Sequence, residues 1–387
     1  MLGETKTLKK QVNRALILKT IRDEKAISRI EVAQKLGLHK STISTIVSDL
    51  LNTGIVREIS LQDNGSGVGR KRIYMEINPS FGSVLGIEFN HLEPKAVLTD
   101  LNGTALLETE IPGTKGIDNP RDFFKHIISY IRGAVKKRTP PLLGIGIGIS
   151  GCVNPFSGDV IDSASFSMSN YPLLLMLEGA VDAPMAVEND ANCCAWGELV
   201  RQGASGPNNF FFIYPKLMNE RKGNPRRRLG LGLGIVINRT LYYGEDFLSG
   251  EFVGTGWKKG DREQISFLNK RSGKGRDLND AFPDIIEELF LNLSVAVSLF
   301  NPGCIYVGGI FAERFDEVVK VLSTRLSDSY MGQDENIRLV KRAVFSGFDV
   351  ARGAAVMFIE RLFEIPEYKK MSQLTSLHWD TVLSNII

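Results

Sequence analysis

Between residues 40 and 48 the chain reads KSTISTIVS. Lys40, Ser41, Thr42, Ser44 and Thr45 carry side chains that can bond base edges and phosphates. Short hydroxyl groups around one ammonium let a helix come close to a major groove. Further on, Gly69, Arg70, Lys71 and Arg72 close the stretch QDNGSGVGRKR. Cationic side chains there can lie along a phosphate backbone or enter a minor groove. An ordinary amphipathic helix or a solvated hairpin carries the same residue types, so the elements that hold these residues must decide.

Those elements read as a helix-turn-helix followed by a wing. Ser28 and Glu31 have capping-box spacing, in which the Ser caps a free N–H of the first turn and the Glu reaches back. Ile30, Val32, Ala33 and Leu36 give that helix an apolar face, and Gly37 suits the left-handed residue that ends it. The next helix is predicted to start near Lys40. Its Ile43, Ile46, Val47 and Leu50 point inward, which leaves the hydroxyl residues, Ser48 included, outward. IVREIS and RIYMEI alternate around the Gly-rich tip, predicting a hairpin over 55–77. An earlier helix, about 8–23, is expected to complete the unit with Val12, Ala15, Leu16, Leu18 and Ile21. The expected partner is double-stranded DNA.

Charge divides the chain at the same place. Residues 1–80 carry 14 Lys and Arg against 8 Asp and Glu, whereas the rest carries 33 against 36. A basic head on a mildly acidic body is the electrostatic footprint of nucleic-acid binding. With 387 residues, two or three domains are expected. Neither a membrane span nor the apolar core of a leader peptide is legible, and a cytoplasmic protein is expected. Cys152, Cys193, Cys194 and Cys304 fit neither disulfide nor metal spacing and are expected to pack as small apolar residues.

The body repeats one layout. Residues 83–111 read as strand, turn, strand, turn, strand, and residues 209–243 read the same way. Two hairpin-led α/β halves suggest a duplicated fold of the actin and sugar-kinase kind. The landmarks are LLGIGIGISGCVNPFSGDVI (142–161), AVENDANCCAWGEL (186–199), NPGCIYVGGIFAE (301–313) and ARGAAVMF (351–358). In this order, behind a winged helix, they resemble the ROK family (repressors, open reading frames and kinases), over nearly the whole chain. The resemblance implies an N-terminal winged helix-turn-helix at 1–80, then a duplicated actin-like, ribonuclease H-like sugar-kinase fold. Its halves fall at 81–200 and 201–387, and a C-terminal helix is free to pack back on the first.

The resemblance also implies roles. Asp190 stands where the family's kinases keep the base that takes the proton of the sugar hydroxyl. A carboxylate there serves equally as a hydroxyl acceptor, and it also suits a helix N-cap. Asn189 beside it offers donor and acceptor to vicinal hydroxyls. Gly250–Glu251 matches a pair that supplies a second sugar-binding carboxylate, and Asn170 lies where the family has a loop near the sugar.

Two departures from the family pattern shape the expected function. Where the kinases carry D-x-G-G-T-K, this chain has Glu88, Phe89, Asn90, His91, Leu92 and Glu93. Without glycine, backbone N–H groups lose their close approach to phosphate, so ATP binding and phosphoryl transfer are not expected. The alternating Gly230, Gly232 and Gly234 persist, but such glycines also serve close packing. The zinc module is missing too, since residues 250–277 hold neither His nor Cys. The expected protein is a sugar-responsive regulator, similar to xylose and N-acetylglucosamine repressors, that binds operator DNA as a homodimer or dimer of dimers without zinc or ATP. The alternative is a sugar kinase with an appended DNA-binding domain. Two basic loops, 220–228 and 258–276, read as solvated, with an auxiliary DNA or interdomain contact as the other possibility.

Overall fold

The computed structural model describes residues 2–60, 72–90, 93–117, 119–135, 139–219, 227–261, 263–269, 278–344, 347–365 and 379. The wing tip with Gly69, Arg70 and Lys71, most of the loop 220–228 and residues 270–277 lie outside these.

The head is built from α1 (Leu2–Glu24), α2 (Arg29–Leu36), α3 (Lys40–Thr53), β1 (Val56–Ile59) and β2 (Tyr74–Ile77). The capping box forms as spaced. Ser28 Oγ accepts from Glu31 N, and Glu31 accepts from Ser28 N at 2.8 Å. These bonds hold the Glu31 carboxyl below the usual carboxylate range, the Ser28 backbone N–H contributing most. Gly37 ends α2 at φ 61°. Ile43, Ile46, Val47 and Leu50 are buried, as the 3.6-residue period requires. The wing gains a third edge, because Ile27 N donates to Met75 O and Met75 N to Ile27 O.

Two expectations for the head need correction. Ile30 is 58% exposed, because α2 turns only its Val32–Ala33 side to the core and leaves Ile30 outside that contact. The first helix starts earlier, at Leu2, and its buried stripe is Ile17, Leu18 and Ile21, while Val12, Ala15 and Leu16 are only half-buried.

In the first half, β3 (Ser83–Phe89), β4 (Lys95–Asp100) and β5 (Ala105–Glu110) lead to α4 (Pro120–Ala134) and β6 (Leu142–Ile149). Then come β7 (Cys152–Asn154), β8 (Asp159–Ser163), β9 (Met168–Tyr171), α5 (Leu173–Leu177), β10 (Met185–Asn189) and α6 (Asp190–Gln202). The second half has β11 (Phe210–Asn219), β12 (Arg227–Ile237), β13 (Thr240–Leu241), α7 (Ser266–Asn269), α8 (Leu278–Phe300) and β14 (Cys304–Val307). It ends with α9 (Gly309–Glu313), α10 (Phe315–Thr324), α11 (Asp334–Ile337), β15 (Val340–Arg342) and α12 (Asp349–Leu362).

The duplication is visible in the strand orders, β5-β4-β3-β6-β10 and β13-β12-β11-β14-β15. In each sheet three antiparallel strands are followed by two parallel ones added beside the first. The C-terminal helix α12 packs on β3, β6 and α6 of the first half. Gly86 and Gly146 permit this, since a Cβ on either would stand within 1.8 or 2.0 Å of an α12 carbonyl oxygen. That close approach accounts for the glycines of LLGIGIGI.

The head and body share one apolar core. Ile17, Leu18 and Ile21 of α1 belong to the same cluster as Phe358, Leu362, Phe363 and Trp379. Arg22 of α1 pairs with Glu360 of α12 and stacks over Phe363 at 4.5 Å. No helix among the described residues is long and apolar enough to cross a membrane.

Candidate functional site

The α3 surface presents Lys40, Ser41, Ser44 and Thr45 to solvent, with Thr42 half-buried. Its first turn holds no acidic residue, and His39 at the N-cap makes no side-chain cap bond. The positive end of the helix dipole is therefore uncovered, beside Lys40. Thr45 Oγ1 donates back to Ser41 O at 3.1 Å, so toward a groove this hydroxyl offers chiefly its oxygen. Arg72, the one described member of the cationic wing run, is exposed.

Asn189 and Asp190 stand where the parallel strand β10 ends, the side on which α/β sheets usually bind ligands. Asn189, not Asp190, is the N-cap of α6. Its Oδ1 accepts from Asn192 N at 3.1 Å and its Nδ2 donates to Gly151 O at 2.9 Å. These bonds occupy much of the amide that sequence assigns to ligand hydroxyls. Asp190 is the first helical residue, and its Oδ1 accepts from Ala191 N at 2.9 Å.

Lys216, near the end of β11, sends Nζ to 3.1 Å from Glu88 Oε1 and 3.4 Å from Asp190 Oδ2. Glu88 and Asp190 are buried, and the Lys216 side chain is half-buried beside them. Burial lifts the Asp190 carboxyl above the usual range, with Lys216 pulling it back and Glu88 adding to the rise. Burial alone would lower the Lys216 ammonium, but the two carboxylates outweigh it and hold the group protonated. Sequence reading missed Lys216. The available signal was a lone ammonium inside the apolar run FFFIYPKLM.

Glu251 arrives from the second half. Gly250 sits at φ 92°, where a Cβ would meet Leu233 O at 1.9 Å, and this tuck against β12 sets Glu251 in a bridge to Gly232. Glu251 is exposed as a residue, yet the protein around its carboxyl partly desolvates it and pushes it up; the Cys152 thiol donates a hydrogen bond that opposes the rise, and Asp190 and Asp162 add to it. Cys152 in turn is pushed up to about 12, by burial first and then by Glu251. Asp190 and Glu251 are thus brought into one electrostatic neighbourhood. Asn170 stands on the edge strand β9, exposed and at φ 45°, and no bond among the described residues joins it to them. Gly232 and Gly234 face α6, where added Cβ atoms would meet Ala191 and Ala195 Cβ at 2.9 and 2.6 Å. Gly232 and Gly234 therefore serve helix packing.

Behind the cleft, Glu188 is completely buried. Its Oε2 accepts from Tyr243 Oη at 2.8 Å and from Arg361 Nη2 at 3.1 Å, and its Oε1 accepts from Asn189 N and Asn192 Nδ2. The network joins both halves to α12. Arg361 also donates to Pro155 O at 2.9 Å.

Comparison with known proteins agrees with this architecture. The ROK family model matches residues 84–255, and a winged helix-turn-helix DNA-binding model matches residues 13–57. A xylose repressor of Caldicellulosiruptor bescii is 24% identical over 413 residues, covering 94% of this chain and 99% of that protein. A xylose repressor of Bacillus spizizenii is 29% identical over 246 residues, 63% of this chain and 60% of that one. A crystal structure of a ROK family transcriptional regulator, described as a homologue of the E. coli MLC protein, shares the fold. Its TM-score is 0.70 at 18% identity, over 90% of this chain and 96% of that one. With the ROK match at residues 84–255 and a winged helix-turn-helix match in front of it, the chain carries a ROK family domain behind a winged helix-turn-helix.

Proposed function

We propose that this protein is a sugar-responsive transcriptional repressor that holds operator DNA with α3 and the wing and binds a free sugar of the xylose class in the cleft. One observation carries the reading: adjacent residues of α12 bond the head and the buried network next to Asn189. Glu360 pairs with Arg22 of the DNA-binding head, and Arg361 bonds Glu188 behind the cleft. A ligand that prefers one cleft geometry has a short path to the head. The cleft works without phosphoryl transfer, since Asp190 is paired with Lys216 and the segment from Glu88 to Glu93 has no glycine. It also requires neither zinc nor ATP.

The test uses full-length protein and duplexes selected from a random library. Fluorescence anisotropy is expected to show binding that weakens steeply with salt and by tenfold or more in Lys40→Ala. D-xylose at ~100 times its dissociation constant adds about 2.7 kcal/mol of stability, read as a rise in melting temperature. Unaltered DNA affinity in the variant would contradict the placement of α3. ADP production with ATP and D-xylose, lost in Asp190→Asn, would favour the kinase reading instead.

The reader of a two-fold operator is a pair of these chains. A recognition helix reads one half-site, so two heads must be held together. Leu291, Val295 and Leu299 form an exposed stripe on α8, in a run from Leu289 to Gly303 with no charged residue. Thr255 N donates to Asn292 Oδ1 and holds the loop with exposed Val253 and Trp257 against the same face. These five side chains expose on the order of 500 Å², a large share of the ~800 Å² per partner of a standard interface. Val295→Glu is expected to give monomers in light scattering and weaker operator binding. A dimer unchanged in that variant would place the interface elsewhere.

A further inference from the structure

We propose that Lys216 contacts the ligand directly, donating to the oxygen of the same hydroxyl whose proton Asp190 accepts, and that this pair selects an uncharged polyol. The inference deepens the sugar reading and rests on it. An ammonium has three N–H groups, and among the described residues Lys216 directs two of them at Glu88 and Asp190. The arm to Asp190 is the longer, at 3.4 Å against 3.1 Å, so the lysine is anchored on Glu88 and leans toward Asp190. Asp190 Oδ1 is committed to Ala191 N, which leaves Oδ2, beside the ammonium, as the oxygen for a ligand. A hydroxyl placed there meets a donor and an acceptor together, which a hydroxyl satisfies and an ether or methylene does not. Lys216 comes from the second half and Asp190 from the first, so one hydroxyl would touch both.

Charge narrows the ligand class. Glu88, Asp190, Glu251 and Asp162 outnumber the single ammonium, and Lys216 is quenched by the two nearest of them. A phosphorylated sugar would bring two further negative charges among these carboxylates. The free sugar is therefore the better guest.

Calorimetry on the full-length protein tests this with D-xylose and its 1-, 2-, 3- and 4-deoxy analogues. Wild type is expected to lose tenfold or more at one hydroxyl. Lys216→Met combined with Glu88→Gln removes the ammonium together with the carboxylate it would strand, so folding is preserved, as a melting curve checks. In that variant D-xylose and the discriminating analogue should bind alike, an effect that a merely structural lysine would not produce. Lys216→Gln, which keeps a donor, should retain part of the discrimination and serves if the double variant fails to fold. Discrimination as strong as wild type in either variant would overturn the contact. Tighter binding of D-xylose 5-phosphate than of D-xylose would overturn the charge argument. If wild type binds neither D-xylose, D-glucose nor any analogue, the sugar reading itself fails, and the inference with it.

Discussion

Replacing Arg361 by Met is expected to destabilise the protein by about 3–5 kcal/mol in urea denaturation, because it strands a buried charge. Glu188 has no exposure, and Arg361 is its cationic partner at 3.1 Å, itself 12% exposed. The remaining partners of Glu188 are a phenol, a backbone N–H and an amide, which solvate a carboxylate but do not neutralise it. Burial opposes the charge on Arg361, yet its group stays raised through Tyr243 and Glu188. The pair is thus stabilising relative to a broken pair, not relative to an apolar one. Arg361→Met with Glu188→Gln should therefore recover most of the loss. A single variant within 1 kcal/mol of wild type would show that Glu188 is not held charged by Arg361.

The same variant bears on coupling. In the rescued double variant the fold is kept, while the link from the cleft through Arg361 to Glu360 and Arg22 is cut. D-xylose should then still bind but shift operator affinity less than in wild type. A two-state element biased by both sites is what allostery requires. The C-terminal turn of α12 is the element this variant tests, since Glu360 pairs there with α1 of the head and Arg361 with Glu188 of the body.

What was legible in sequence was local or periodic. The capping box at Ser28 and Glu31, the stop at Gly37 and the inward face of α3 each follow from spacing within a few turns. The repeated strand layout appeared because hairpin-led halves leave the same order of apolar runs and turns. Ile30 departs from the apolar period because an eight-residue helix can satisfy it with a narrower face. Lys216 was illegible for a different reason. Its meaning depends on Glu88, 128 residues away, and only the folded sheets bring the two together. Arg361 and Glu188, 173 residues apart, pose the same difficulty. Asp190 suits an N-cap as well as a sugar contact by residue type, but backbone geometry gives the cap to Asn189, since Asn and Asp both cap well.

Asp190→Asn is expected to abolish the response to D-xylose, with at least a 100-fold loss in ligand affinity, while operator binding without ligand stays as in wild type. The substitution keeps the shape and the acceptor for Ala191 N, so α6 still starts where it does. It removes a carboxylate that burial already holds above its usual range, so the folded state sheds a desolvation cost. Lys216 keeps Glu88 as its counter-ion. Stability should therefore hold or rise, and the loss should be confined to the ligand. The sign follows by linkage. A carboxyl whose folded value is raised costs stability as pH rises through its unfolded and then its folded value. The excess stability of Asp190→Asn over wild type should accordingly grow from acid toward neutral pH. Melting curves at pH 4 and pH 7, with and without D-xylose, separate the two effects. A variant that still answers to D-xylose would move the effector out of this cleft. One that melts well below wild type at pH 7 would make the charged Asp190–Lys216 pair a stabilising element of the fold.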